Sequence, residues 1–471
     1  MSDFVSNKSY AVSGGDSATK YLTETKNEGG AKFTFFWASS ANGAAQLINA
    51  TVATFVPAFM TDVMLIPAAM CSLIMLISTT WDAINDPIMG VIADRTSTKW
   101  GKYRPWLIPA PILLTFFSVL MWLNPNLPTV WKAIFFLVMY IGYGMTTTMY
   151  TMPHVALLPA CVKKDEVRSR VIHLGAIFST LAFSFASSFT THITGFFENR
   201  FGFENGYVPM MFIYGLLSLI TFWGLFNSSE EKYVVESEEK ASAKEVFNVL
   251  GDKEIWPLII IWLTFFIGYG LNFSSAVYYL TYYMGNPGLI SPFFLMNTVT
   301  GFISIGFLFP IFMKLFKGAH NVFRVTLLVS VVCYGILYLF GSKSVILMFV
   351  LSGFVNLFTT LQMALIQILI NDAIDYTQWK TGHSSNGVIA SIKGFATKCG
   401  NTITSSGMLA ILAIAGYVPN AIGAEPASAM FAINSMRFGI PIVFAIIQFF
   451  CLNKNPAIVH KAEIDAMKER Q

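Results

Sequence analysis

The run Trp81-Asp82-Ala83-Ile84-Asn85-Asp86-Pro87-Ile88-Met89-Gly90 puts two carboxylic acids inside an apolar stretch. Spaced i, i+4 on a helix, Asp82 and Asp86 share a face. Two carboxylates on one face repel each other unless a cation or a proton lies between them. Asn85 adds a neutral oxygen nearby, and a hard cation such as Na⁺ prefers oxygen ligands, by extension of the rule for other hard cations. A proton held by the pair would serve as well. A charged side chain at mid-bilayer costs roughly 2.5–3.5 kcal/mol on insertion scales, so two on one helix require a reason. Either they pair with buried basic residues and only hold helices together, or they mark an ion path. Lys398, in Ala396-Thr397-Lys398-Cys399-Gly400, is the basic residue placed to meet them. It is a fixed counter-ion or a charge that responds when a cation leaves. Lys393, about one turn nearer the loop, is expected to snorkel.

The rest of the chain offers little other chemistry. No nucleophile–base pair or phosphate loop of specific spacing is present, so an enzyme is not expected. The five cysteines are far apart and mostly in apolar runs, neither a disulfide framework nor a metal-ligand spacing, and no cofactor is expected. His154, beside Pro153, is the one histidine in a plausible cavity position and reads as packing. Net charge is +4, too small and dispersed to argue for nucleic acid.

The elements that must carry these acids follow from composition. Of 471 residues, 55% are hydrophobic and only 12% are charged, about half the roughly 25% of soluble domains. Such a chain cannot cover a water-facing surface, and lipid removes the conflict. Residues 1–32 are polar, contain no apolar signal-like core, and read as a disordered tail. From Phe33 on, apolar stretches of spanning length recur at 33–60, 63–92, 105–124, 130–158, 170–196, 207–227, 256–284, 288–315, 322–341, 344–370, 386–416 and 428–452. This predicts an all-α integral membrane protein with twelve transmembrane helices. Basic residues concentrate in alternate loops: Arg95, Lys99, Lys102 and Arg104, then Lys163, Lys164, Arg168 and Arg170, then Lys232, Lys240, Lys244 and Lys253, then Lys314, Lys317 and Arg324. The other side has Lys132, Arg200, Lys343 and, by this reading, Arg437. Both termini are therefore expected in the cytoplasm and the protein in the plasma membrane.

The charged segment 228–254 divides the chain into six helices and six. The expected units are the tail 1–32, a bundle at 33–227, the linker 228–254, a second bundle at 255–453 and a tail at 454–471. Pro87-Ile88-Met89 late in the second segment and Pro310-Ile311-Phe312 late in the eighth suggest related halves. The eighth has no acids at the matching place, so the carboxylate pair is not something the fold needs twice. Six plus six with a central linker suggests the major facilitator architecture, two bundles rocking around a midplane site.

Past the acids, Gly90-Val-Ile-Ala-Asp94-Arg95 leads into Thr98-Lys-Trp-Gly-Lys-Tyr-Arg104-Pro-Trp. This resembles the conserved loop of the major facilitator superfamily, with Gly90 allowing close helix approach, Asp94 and Arg95 forming a gate-like ion pair, and Arg104 in its basic tail. The whole run WDAINDPIMGVIADRTSTKWGKYRPW, with Asn371-Asp-Ala-Ile-Asp375-Tyr-Thr-Gln-Trp-Lys-Thr-Gly382 and Lys398 a helix later, is similar to the glycoside–pentoside–hexuronide cation symporter family, of which the melibiose permease is the best-known member. The resemblance runs from Thr61-Asp62-Val63 to the eleventh segment. It implies Na⁺-, Li⁺- or H⁺-coupled uptake of a small sugar or glycoside by alternating access, in a functional monomer. It places the cation at Asp82 and Asp86 with Asn85 and Thr148 as neighbours, and Lys398 close by.

The sugar site carries over less well. Gln46 and Thr151 stand where that permease has two sugar-binding acids, Val155 at a tryptophan position and Ala176 at an arginine position. The basic residue usual after Lys380-Thr-Gly is missing, since the chain reads His383-Ser384-Ser385-Asn386. These departures argue against melibiose and favour a neutral glycoside or an anionic uronide. Gln46, Asn42 and Thr151 can hydrogen-bond hydroxyls, although such residues often only join packed helices. The rivals are a carrier of another solute, such as a lipid or drug, and a membrane sensor that binds a glycoside and signals without transport.

Overall fold

The computed structural model describes residues 30–233, 249–381 and 386–469. Twelve long helices run through them: α1 (Ala31–Val63), α2 (Ala68–Arg95), α3 (Arg104–Met121), α4 (Thr129–Cys161), α5 (Asp165–Phe201), α6 (Tyr207–Ser228), α7 (Trp256–Tyr283), α8 (Pro287–Leu315), α9 (Ala319–Lys343), α10 (Val345–Thr381), α11 (Asn386–Ile414) and α12 (Ala427–Val459). A short α13 (Lys461–Lys468) follows. No β-strand occurs among the described residues, only an isolated bridge between Thr98 and Gly101. Of the twelve long helices, all but α11 are apolar and long enough to cross a bilayer. The 29 residues of α11 have the length, but Lys393, Lys398 and a run of Asn, Thr and Ser lower its hydropathy. The chain is a multi-pass membrane protein.

Several helices outrun their apolar segments. The fifth begins at Asp165 and Glu166 rather than at 170, where the two acids suit the positive end of a helix. The tenth continues past Asp372, Asp375 and Lys380 to Thr381. Helical hydrogen bonding does not need apolar side chains, so hydropathy marks only the lipid-embedded part.

The halves repeat. Helix α1 packs on α5 and α6, α3 on α4 and α6, and α2 on α4. Adding six to every number gives the second half: α7 on α11 and α12, α9 on α10 and α12, α8 on α10. The halves meet chiefly through α2 with α11 and α5 with α8, pairs that exchange under the same shift. The repeat reaches local backbone: α1 and α7 both close in a π-turn, Phe59–Val63 and Tyr279–Tyr283.

Those turns meet on the side opposite the described chain ends. There Tyr417 donates to the Asp62 carboxylate, Asn420 Nδ2 donates to the Asp62 carbonyl over 2.9 Å, and the hydroxyls of Thr61 and Tyr278 lie 3.1 Å apart. The Asn420 main-chain N–H donates to the Tyr282 hydroxyl. Tyr282 is thus buried beside the seam between the halves.

On the other side the loop between α2 and α3 wraps a carboxylate. Glu231 accepts the main-chain N–H groups of Lys102, Tyr103 and Arg104, each over 2.8 Å. Gly101 sits at φ +111° in this turn, and a Cβ there would come within 2.6 Å of the Glu231 carboxyl group. The start of the linker therefore clamps the α2–α3 loop. Because hydrogen bonds to an ionised group are each worth about 1.5–3 kcal/mol, Glu231→Ala is expected to lower unfolding stability by at least 2 kcal/mol or so. Thermal unfolding in detergent checks this, with Glu231→Gln, which keeps one acceptor, falling in between.

Candidate functional site

The middle of α2 faces α4 and α11 across a cavity of about 360 Å³. Asp82 and Asp86 line it from α2, with Thr79 one turn earlier. Tyr143, Gly144, Thr147, Thr148 and Thr151 line it from α4, and Lys398, Asn401 and Thr402 from α11. The i, i+4 spacing brings both acids to one face, as expected from the sequence. Thr148 donates to Asp86 Oδ1 over 2.8 Å, and Lys398 pairs with Asp86 Oδ2. Asp82 has no direct ion pair among the described residues. It fits against α4 only because residue 144 is glycine: a Cβ at Gly144 would lie 2.4 Å from Asp82 Oδ1.

With both acids ionised, two carboxylates and one ammonium sum to a single negative charge. One monovalent cation, or one proton, neutralises that. Among the described residues no group of three or more His, Cys, Asp and Glu gathers as a polyvalent metal site would require.

The remaining expected residues fall in different places. Asn85 is 5% exposed and does not line the cavity; its position next to Asp86 turns it about 100° around the helix. Asn42 packs on α5, where a Cβ at Gly175 would lie 2.9 Å from its Nδ2, and that nitrogen is buried without a partner. Gln46 is half-buried on α1 and lines neither this cavity nor the larger one between α5, α7, α8, α10 and α12. Ala176 lines that larger cavity. Gly90 is half-buried and Arg95 exposed at the end of α2. The Asp94 side chain lies outside the described residues, and so does the segment His383-Ser384-Ser385-Asn386 except for the Asn386 backbone. Arg104 anchors its loop on α6, donating to the Phe226 carbonyl over 2.8 Å with its guanidinium 4.7 Å from the Phe226 ring.

Sequence reasoning missed Asn49, whose amide accepts from Tyr143 over 2.6 Å and donates to Tyr150 over 2.9 Å, tying α1 to α4. Its position one turn after Gln46 was the available signal. The sequence reading counted Arg437 with the basic residues of the outer side, although its twelfth segment, 428–452, contains it; Arg437 lies in the third turn of α12 and is buried. His154 is packing: its ring stacks on Trp37 with centroids 4.5 Å apart, and its Nε2 lies 2.9 Å from the Trp37 carbonyl.

A family model described as MFS/sugar transport protein matches residues 38–454, nearly the whole described chain. The chain belongs to that family. Among curated relatives of this MFS sugar-transport chain, the isoprimeverose transporter of Lactiplantibacillus pentosus is 28% identical, over 86% of this chain and 84% of the relative. The putative glycoside/cation symporter YagG of Escherichia coli (strain K12) is 24% identical, over 84% of this chain and 85% of its own length. A crystal structure of a bacterial homologue of the iron transporter ferroportin, in an inward-facing state, superposes with a TM-score of 0.66 at 12% identity, over 90% of this chain and 98% of that one. At that identity the likeness concerns the fold alone, the major facilitator arrangement of two six-helix bundles.

Proposed function

We propose that this protein is a secondary active transporter that carries a sugar or glycoside together with a monovalent cation by alternating access. The observation that carries the reading is the carboxylate pair at mid-membrane, open to a cavity and left with one net negative charge by Lys398. Acids at that depth mark ion pathways, and the relatives named for glycoside/cation symport and for isoprimeverose give the solute class. The cation, Na⁺, Li⁺ or H⁺, binds Asp82 and Asp86 with the Thr148 hydroxyl beside it and displaces Lys398 from Asp86. The bundles 33–227 and 255–453 rock about this site. The seam at Asp62, Tyr278 and Tyr417 closes the extracellular face, and the basic loops and both termini lie in the cytoplasm of a plasma-membrane protein that works as a monomer.

The test is uptake of labelled glycosides, isoprimeverose first, into proteoliposomes under an inward gradient of Na⁺, Li⁺ or protons. Accumulation above equilibrium with one of these gradients, and its loss when the gradient is collapsed, is the expected result. By linkage the solute must raise cation affinity by the factor the cation raises solute affinity. Equilibration that ignores every gradient would sink coupling.

Gly144 supplies a further check. Gly144→Ala forces the Asp82 carboxyl group away from α4, and displacing a ligand by about an ångström is expected to weaken cation activation roughly tenfold. The readout is the cation concentration giving half-maximal uptake; an unchanged value would remove Asp82 from the cation site.

A further inference from the structure

The cation cavity is lined from α2, α4 and α11, and among the described residues none of α1 lines it. Yet Asn49 of α1 bonds α4 twice. Its Oδ1 accepts from the Tyr143 hydroxyl over 2.6 Å, and its Nδ2 donates to the Tyr150 hydroxyl over 2.9 Å. Residues 143 and 150 are two turns apart, so they share one face of α4. Gly144, Thr148 and Thr151, which line the cavity, lie roughly 80–140° further round the same turns. Asn49 is therefore a two-point grip on the stretch of α4 whose adjoining face meets Asp82 and Asp86.

That stretch needs holding. Pro153 sits inside α4, and a proline there removes the helical bond to the carbonyl four residues back, at Met149, where helices bend. The helix packs chiefly on α2 and α3 rather than on α1, so α1 holds it through a few specific bonds. Beyond the proline, Trp37 Nε1 donates to the His154 carbonyl over 3.1 Å, and His154 Nε2 lies 2.9 Å from the Trp37 carbonyl. Before the proline stands Asn49. Helix α1 thus grips α4 on both sides of its weakest turn. The grip has a firm base. Ile48 and Ala50, which flank Asn49, are fully buried, and the hydroxyls of Thr51 and Thr54 lie 3.5 Å from those of Thr190 and Ser187 on α5. On α4, Tyr150 is buried with its ring edge-on to Phe222 of α6.

We propose that Asn49 is a positioning residue of the cation site: by fixing Tyr143 and Tyr150 it sets where Gly144 and Thr148 stand against Asp82 and Asp86. The proposal rests on the transport reading and deepens it, since it concerns the same site. Asn49 touches neither cation nor solute. It acts through α4, where Gly144 leaves just enough room for the Asp82 carboxyl group and Thr148 donates to Asp86 over 2.8 Å. A shift of that face by about an ångström takes the Thr148 hydroxyl out of hydrogen-bond range of Asp86 and out of place beside the cation.

The test is uptake of labelled glycosides, isoprimeverose first, by the full chain in proteoliposomes, with Na⁺, Li⁺ and protons titrated separately. Asn49→Leu keeps the bulk and removes both bonds. It should raise the cation concentration giving half-maximal uptake roughly tenfold, the effect of misplacing a ligand by about an ångström, and leave the maximal rate at saturating cation within about threefold. Tyr143→Phe and Tyr150→Phe each remove one bond and keep the ring. Each should give a smaller rise, and they serve if the Leu variant does not fold. Added to Asn49→Leu they should raise the value no further, because they act only through that residue. A purely structural staple predicts another pattern, in which Asn49→Leu lowers thermal stability and maximal rate and leaves the half-maximal cation concentration unmoved. That result overturns the proposal and leaves cation-coupled transport standing. Rises that add across the three positions overturn it too, by giving each tyrosine its own role at the site. If wild-type uptake ignores Na⁺, Li⁺ and protons alike, the transport reading falls and the proposal with it.

Discussion

Asp86→Asn is expected to abolish cation-driven accumulation while solute exchange down its own gradient remains measurable. In the wild type the pocket holds Asp82, Asp86 and Lys398, with Lys398 on Asp86 and one negative charge left over. The substitution removes a charge and keeps the shape. Lys398, freed from its partner, then shares the cavity with Asp82 alone, and the two sum to zero. A cation entering that pocket meets an ammonium and no surplus carboxylate. At an effective dielectric constant near 20, a unit charge pair about 4 Å apart is worth about 4 kcal/mol, or about a thousandfold in cation affinity. The amide oxygen introduced by the substitution can still accept from Thr148, so the helix contacts that hold the fold should survive. Uptake under a cation gradient should therefore fall to the level of equilibration, with thermal stability close to wild type. Gradient-driven accumulation by Asp86→Asn at the wild-type level would remove the carboxylate pair from the mechanism.

What the sequence made legible follows from periodicity and cost. Asp82 and Asp86 stood out because an i, i+4 pair of acids in an apolar run has one face and a high cost of insertion, and the structure brings both to one cavity. Lys398 stood out for the same reason, and it reaches Asp86. Neither signal speaks about partners across helices. Gly144 shapes the Asp82 side of the pocket, yet a glycine inside a membrane helix is too common to single out. Asn42 and Gln46 looked like hydroxyl binders because they are polar in an apolar span; the rotation of α1 instead turns Asn42 onto α5. Arg437 was counted with the outer side because a tally of basic residues by side does not ask what a charge inside a segment packs against, and in α12 it is buried.

Lys398→Met separates a coupling role for this lysine from a structural one. A symporter completes a cycle of net uptake only if the empty carrier reorients. In the wild type the empty pocket crosses with Asp86 neutralised by Lys398, and only Asp82 is uncompensated. In Lys398→Met the empty pocket would have to cross with two carboxylates facing each other. Two like unit charges about 6 Å apart, the spacing of an i, i+4 pair, repel by about 3 kcal/mol at an effective dielectric constant near 20. If that falls on the reorientation barrier, net uptake slows more than about a hundredfold. The loaded carrier is spared most of this, because the bound cation takes the place of the ammonium. Exchange of internal for external solute, which needs only the loaded carrier, should lose no more than about tenfold. The variant should also bind the cation more tightly, having lost its internal competitor. Lys398→Arg, which keeps the charge, should retain net uptake. A lysine that merely holds α11 to α2 predicts a different pattern, in which exchange, net uptake and thermal stability decline together in the Met variant. Measuring net uptake and exchange side by side on the same proteoliposomes decides between them, since only a charge that returns with the empty carrier can stop one and spare the other.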